Sequence, residues 1–123
     1  VNSALKTGRV QYKGDIESVR EYIHVEDAAL ASVKILQPSY KNESIILTGQ
    51  ESIHINDLLK MIAEILKLDD DSIEFMEEKY NGHYVRTPYA YQPKLGRKYI
   101  PSSHVDLGQG LLQIITNLDN TET

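Results

Sequence analysis

The sequence predicts an α/β fold in which a small mixed sheet of short strands packs with three main helices. Short apolar runs alternate along the chain with longer segments whose apolar residues recur at helical spacing. The length of 123 residues corresponds to one domain, which buries roughly two-thirds of the surface of its unfolded chain. A hydrophobic fraction of 41% excludes general disorder.

The N-terminal residues predict a short helix followed by a strand. Residues 1–6 contain few helix breakers, and Gly8 is suited to end that helix in a left-handed conformation. Residues 10–13 predict the first strand, which the turn signal Gly14-Asp15 ends.

A second strand and the first main helix follow. Tyr22, Ile23 and Val25 predict the strand. Small and apolar side chains from residue 27 to residue 36 predict the helix, with Asp27 as its N-cap. Pro38 ends this segment, because a residue that precedes proline avoids helical conformations.

The middle of the chain predicts a buried strand and the second main helix. Residues 45–48 form a continuous apolar run before Gly49, as in a strand buried on both faces. Apolar residues from 55 to 66 fall at helical spacings, so this helix begins at His54 or Asn56. Asp57 favours the first turn, because a negative charge complements the helix dipole there.

The last third predicts two short strands and the third main helix. Residues 69–71 form a solvated acidic loop, residues 73–76 a strand, and residues 84–85 another. The helix starts with a capping-box-like pair, Ser103 and Asp106. Its apolar face consists of Val105, Leu107, Leu111, Leu112, Ile114, Ile115 and Leu118.

Composition and motifs exclude several classes of function. The absence of Cys excludes disulfide scaffolds, thiolate metal sites and cysteine nucleophiles, and it fits a cytoplasmic protein. Four scattered His residues lack metal-ligand spacing, so we predict no metal site. The chain has no apolar stretch that could span a membrane, and a net charge of −5 disfavours nucleic-acid binding. Neither a Gly-x-Ser-x-Gly elbow nor a Gly-rich phosphate loop is present, and Gly108-Gln109-Gly110 is best interpreted as a close helix contact.

One motif is specific enough to indicate a family. Residues 20–29 read Arg-Glu-Tyr-Ile-His-Val-Glu-Asp-Ala-Ala, in which an arginine opens a strand that leads directly into a helix. This motif resembles Arg-Asp-Tyr-(Ile/Val)-His-Val-x-Asp-x-Ala of the extended short-chain dehydrogenase/reductases that act on nucleotide sugars, with Glu21 in place of the family's Asp. Flanking segments at residues 8–14, 47–49, 53–58 and 82–94 resemble the family in the same order, so the similarity covers nearly the whole chain.

The resemblance implies which residues hold the substrate. The family's motif arginine contacts the diphosphate of the nucleotide sugar, and Arg20 occupies this position, with a structural ion pair as the alternative. A second family arginine corresponds to Arg86 or to the nearby Arg97. Tyr89 and Tyr91 line a sugar or base pocket or serve packing alone. Tyr22 and His24 are expected to pack the strand against its neighbours.

The family's catalytic and cofactor-binding elements are missing from this sequence. No Tyr is followed four residues later by Lys, and the Gly-rich dinucleotide loop is absent. The resemblance therefore implies that residues 1–123 are the C-terminal substrate-binding region of an NAD-dependent epimerase or dehydratase, without its Rossmann domain. We expect NAD in the full-length enzyme and none bound by this fragment, which contains no catalytic residue.

Two other functions stay open at this point. The chain is alternatively a stand-alone binding or regulatory module, or part of a reductase-family member whose substrate carries no nucleotide. Expected partners are a nucleotide sugar, the missing Rossmann domain and a second copy of the chain, with no nucleic acid and no membrane. If the helix after Asp27 and the strand at residues 45–48 normally pack on that Rossmann domain, an apolar patch lies exposed here.

Overall fold

The computed structural model describes residues 1–76 and 96–121, and within them it contains four helices and six strands. The helices are α1 (Asn2–Thr7), α2 (Val25–Lys34), α3 (Ile55–Ile65) and α4 (Leu107–Thr121). The strands are β1 (Val10–Lys13), β2 (Val19–Glu21), β3 (Ile45–Ile46), β4 (Ser52–His54), β5 (Ile73–Met76) and β6 (Arg97–Lys98). The predicted α/β class with three main helices is confirmed; α1 is a short fourth helix.

The strands pair two by two. β1 lies parallel to β5, β2 antiparallel to β4, and β3 parallel to β6. Within the described residues these three pairs share no backbone ladder. Strands of two to four residues form few hydrogen bonds, and their relative positions therefore depend on the contacts around them.

The core lies on one face of α3. Ile55, Leu59, Ile62 and Ala63 recur at helical spacing on that face and are buried. They pack with three buried residues from other elements: Ala4 of α1, Val10 of β1 and Leu111 of α4. No large side chain in the described part of the chain is completely buried, so this core is thin.

Local signals in the sequence predicted several elements correctly. The bounds of β1 and β5 agree with the structure residue for residue. Gly8 ends α1 with φ 67°, and its N–H donates to the carbonyl of Ala4, as expected of a left-handed C-cap. α3 begins directly after His54, which was one of the two predicted starts.

Other predicted boundaries were wrong. The strand expected at residues 22–25 lies earlier, at Val19–Glu21, because β4 supplies its pairing partners there and Val25 already belongs to α2. Asp27 does not cap α2; His24 does, and Asp27 lies in the first turn. Ser103 does not form a capping box with Asp106. The Asp106 side chain instead accepts hydrogen bonds from the backbone N–H groups of Gly108 and Gln109. β3 is shorter and less buried than the expected strand at residues 45–48.

The outward side of α2 is apolar and exposed to solvent. Leu30 is 65% exposed, and Val25, Val33 and Leu36 are exposed to a similar or greater extent. These four side chains lie on one side of the helix and its C-terminal turn. This agrees with the predicted apolar patch, and such a surface favours association with another apolar surface.

We expect the 123-residue chain to self-associate through this side of α2. The double variant Leu30→Ser/Val33→Ser should shift sedimentation toward the monomer, because it removes two exposed apolar side chains from the contact. Ser32→Ala on the same helix is the control and should leave the sedimentation profile unchanged. A wild-type monomer that is stable to dilution and binds no hydrophobic dye would contradict this expectation.

Candidate functional site

The candidate site is built on β2 and the turn that leads into α2. Arg20 is half-buried in the centre of β2, opposite Ile53 of β4. Its Nη1 donates a hydrogen bond to the backbone carbonyl of Val19 at 2.9 Å. Because Arg20 belongs to a paired strand and not to a loop, the position of its guanidinium is restricted.

Tyr22 follows β2 and lies beside Arg20. Its side chain was expected to pack in the core, but Tyr22 is 44% exposed and lines a cleft. Partial burial raises the pKa of Tyr22 above the ordinary 10.0, and the neighbouring Tyr12 phenol raises it further, whereas the positive charge of Arg20 lowers it. The phenol is therefore protonated at neutral pH and responds electrostatically to Arg20.

His24 connects the start of α2 to α4. Its Nδ1 accepts a hydrogen bond from the backbone N–H of Glu26 at 3.3 Å, which makes the imidazole the N-cap of α2. Because Nδ1 accepts, a neutral ring carries its hydrogen on Nε2. A Cβ at Gly110 would lie 3.2 Å from Cδ2 of His24, which supports the predicted close contact of this glycine.

Asp27 holds the chain before α4 against α2. Its Oδ2 accepts a hydrogen bond from the backbone N–H of Val105 at 2.8 Å, and this bond is partly buried. The carboxylate also lies in the first turn of α2, where negative charge is favourable.

We expect Asp27→Ala to destabilise the chain by about 1–3 kcal/mol, because the Val105 N–H then loses its charged acceptor. Glu26→Ala is the control: it removes the same charge from the same helical turn without breaking this bond. Urea denaturation should show the larger loss for Asp27→Ala, and Asp27→Asn should recover part of it. If both alanine variants lost the same free energy of unfolding, Asp27 would contribute to stability only through its charge near the helix dipole.

A cleft of about 620 Å³ opens beside this turn, between α3 and the N-terminal half of α4. Its walls are mainly apolar, and its polar lining includes Tyr22, His24 and Gln50. Arg20 lies two residues before Tyr22, outside the cleft lining that the described residues form. The volume falls in the range of small-molecule sites.

The other predicted contacts are placed differently. Arg86, Tyr89 and Tyr91, together with the strand expected at residues 84–85, lie outside the described residues. Arg97, the alternative to Arg86, is on β6, where it pairs with Glu43 at 3.0 Å and lies 4.8 Å from the ring centroid of Tyr40. Arg97 is thus engaged by Glu43 and Tyr40, and the role of Arg86 stays a prediction.

Residues 1–76 and 96–121 lack two other kinds of feature. No group of three or more His, Cys, Asp or Glu side chains there could hold a metal ion. None of the helices in these ranges is both long and apolar enough to cross a membrane.

Sequence reasoning missed two polar links at the site. The first is the His24 cap: a preceding Asp or Ser is the usual signal, and a histidine in that role has no distinct pattern. The second is the contact of Glu21 with Thr48 and Lys98, which lie 27 and 77 residues away in the sequence. The only sequence signal was that Glu21 departs from the family's Asp.

Comparisons with known proteins indicate the fold. No protein-family model matches the chain, and no curated protein matches it. A 2.9 Å crystal structure of dTDP-glucose 4,6-dehydratase from Bacillus anthracis str. Ames, in complex with NAD, is similar with a TM-score of 0.73 and 19% sequence identity. The similarity covers 98% of this chain and 38% of the dehydratase chain. The chain thus has the fold of one part of an NAD-bound dehydratase.

Proposed function

We propose that residues 1–123 form the substrate-binding region of an NAD-dependent nucleotide-sugar epimerase or dehydratase. The observation that carries this proposal is the fold, which matches part of a sugar-nucleotide dehydratase over 98% of this chain. In this function Arg20 holds the diphosphate of the nucleotide sugar. The region is not catalytically competent alone.

The placement of Arg20 suits a diphosphate. A guanidinium keeps its charge at every working pH and can donate two parallel hydrogen bonds to phosphate oxygens. The neighbouring carboxylate of Glu21 is engaged by Lys98 and Thr48. Alternation along β2 directs the Glu21 and Arg20 side chains to opposite faces, which limits charge neutralisation of the guanidinium by that carboxylate.

The described residues contain no glycine-rich turn of the kind that binds NAD. A dinucleotide needs a glycine-rich turn that opens a helix, so that backbone N–H groups can approach the pyrophosphate. Gly108 and Gly110 lie within α4, and Gly110 packs against His24 instead of leaving an open cradle. In this proposal the hydride chemistry that NAD would supply belongs to the rest of the parent enzyme.

One observation favours a second function, a reductase-family protein whose substrate carries no nucleotide. The bond from Arg20 Nη1 to the Val19 carbonyl shows that the guanidinium has a local structural contact. If that contact were its whole role, Arg20 would stabilise β2 and the substrate would need no phosphate. A stand-alone binding module would share the fold and differ only in lacking the NAD-containing partner.

Calorimetric titration of the chain tests the proposal. We expect dTDP-glucose, UDP-glucose and inorganic pyrophosphate to bind, and Arg20→Ala to weaken each by at least about 10-fold, or ~1.4 kcal/mol. The control is Arg9→Ala, which removes the same charge from the surface pair of Arg9 with Glu74. Equal affinities of wild type and Arg20→Ala would favour the second function.

The pKa of Tyr22 reports whether an anion binds at Arg20. The positive charge of Arg20 lowers the pKa of Tyr22, so an anion bound to Arg20 should raise that pKa further. An NMR titration of the Tyr22 ring with and without pyrophosphate measures this shift. Binding elsewhere on the chain would leave the Tyr22 pKa unchanged.

A further inference from the structure

Glu21 forms an ion pair with Lys98 in which the glutamate side chain is only 6% exposed. The carboxylate accepts hydrogen bonds from Thr48 Oγ1 at 3.0 Å and from Lys98 Nζ at 3.2 Å, both at Oε2. A carboxylate removed from water requires such partners, because an unpaired buried charge is strongly unfavourable.

These two contacts connect strand pairs that have no common ladder. Glu21 ends β2, which pairs with β4, whereas Lys98 lies in β6, which pairs with β3. Thr48 follows β3 by two residues and is itself buried. Glu21 therefore joins the β2–β4 pair to the β3–β6 pair through its side chain.

The link also restricts Arg20. β2 has three residues, with Arg20 in the centre and Glu21 at the end, so a movement of the Glu21 backbone moves Arg20 with it. A bidentate contact of a guanidinium with phosphate oxygens depends on geometry, and small displacements weaken it.

The length of the Glu21 side chain matters for this link. The side chain of aspartate is shorter than that of glutamate by one carbon–carbon bond, or about 1.5 Å. Aspartate is the residue at this position in the family that the motif resembles. With the backbone in place, that shortening would take contacts of 3.0 and 3.2 Å beyond hydrogen-bond range. Here the longer carboxylate matches the positions of Thr48 and Lys98.

We propose that Glu21 is a positioning residue for anion binding, which acts through Thr48 and Lys98 to hold Arg20 in its binding geometry. This inference rests on the proposed function, in which Arg20 contacts a diphosphate. It assigns to Glu21 a role in affinity in addition to its contribution to packing.

Pyrophosphate titration of matched variants tests this role. Glu21→Asp should weaken pyrophosphate binding by about 10-fold, because Arg20 loses its fixed position. The double variant Glu21→Asp/Lys98→Arg should recover most of the affinity, since the longer arginine restores the reach that aspartate lacks. Glu43→Asp shortens the exposed pair between Arg97 of β6 and the segment before β3, and it should change affinity by less than about 2-fold.

A second readout needs no ligand. The ¹⁵N resonance of the Arg20 Nε reports the environment of the guanidinium, and it should shift in Glu21→Asp and return in the double variant. If Glu21→Asp does not fold, Thr48→Val removes one of the two hydrogen bonds and should weaken binding by about 3-fold with a smaller shift of the same resonance.

The outcomes separate this inference from the proposed function. Absence of pyrophosphate binding to the wild type would contradict the proposed function, and the Arg20 resonance alone would then decide whether Glu21 positions it. An unchanged Arg20 resonance in Glu21→Asp overturns the inference, as does wild-type affinity in that variant. A double variant that stays as weak as Glu21→Asp also overturns it.

Discussion

Replacing Gly49 with Ala is expected to destabilise the chain by at least about 3 kcal/mol, the upper part of the range for overpacked sites. A Cβ at this position would lie 2.2 Å from the backbone oxygen of Tyr22 and 2.8 Å from its backbone carbon and nitrogen. Backbone atoms cannot rotate away as a flexible side chain does. Relief would therefore require the turn after β2, which follows Arg20, to move away from residue 49.

Gly108→Ala is the matched control for this substitution. The nearest atom that an added Cβ would meet there is Asp106 Oδ1 at 3.1 Å, a side-chain atom, so its relief requires no backbone movement. Alanine also has a higher helix propensity than glycine by about 1 kcal/mol, so this variant should be close to wild type in stability. Urea denaturation measures both; wild-type stability of Gly49→Ala would show that the β2–α2 turn is not closely packed on residue 49.

We expect Leu59→Ala to cost about 2–5 kcal/mol, the usual cost of removing a buried leucine side chain. Leu59 is 6% exposed and lies at the centre of the buried face of α3. The core around it is thin, so few neighbouring side chains are available to fill the resulting cavity. Because small domains are stable by only about 5–15 kcal/mol, this variant should lose a large part of its free energy of unfolding.

Leu112→Ala on α4 provides the comparison, because it deletes the same atoms from a side chain that is 44% exposed. We expect a loss below about 1 kcal/mol for this variant, since nearly half of the area it removes is already in water. Thermal and urea unfolding of the two variants measure the difference. Similar losses would mean that the two leucines contribute equally and that α3 does not carry the core.

Elements with strong local signals could be predicted from the sequence. The apolar periodicity of α3 and α4, the left-handed glycine after α1 and the short strand patterns of β1 and β5 each depend on neighbouring residues. The predicted strand at residues 22–25 was wrong because its location depends on β4, a distant partner. Pairing with a distant strand overrides local β propensity in such a short segment.

The candidate site was predictable in part. The motif around Arg20 indicated a strand that leads into a helix, and the structure places Arg20 at the centre of β2, shortly before α2. The predicted roles of Arg20, Arg86, Tyr89 and Tyr91 stay predictions, and the last three lie outside the described residues. The cap formed by His24 and the contact of Asp27 with Val105 were not predictable, because each depends on three-dimensional placement and not on composition.

The length of 123 residues, the α/β class and the motif at residues 20–29 followed from the sequence alone, because composition, apolar spacing and capping signals act over a few residues. Only the tertiary structure decided that the strands of the described residues form three separate pairs, that Glu21 joins two of them, and that Tyr22 lines a cleft. The physical reason is distance along the chain. Glu21 and Lys98 are 77 residues apart, and their contact forms only once the core has brought their strands together.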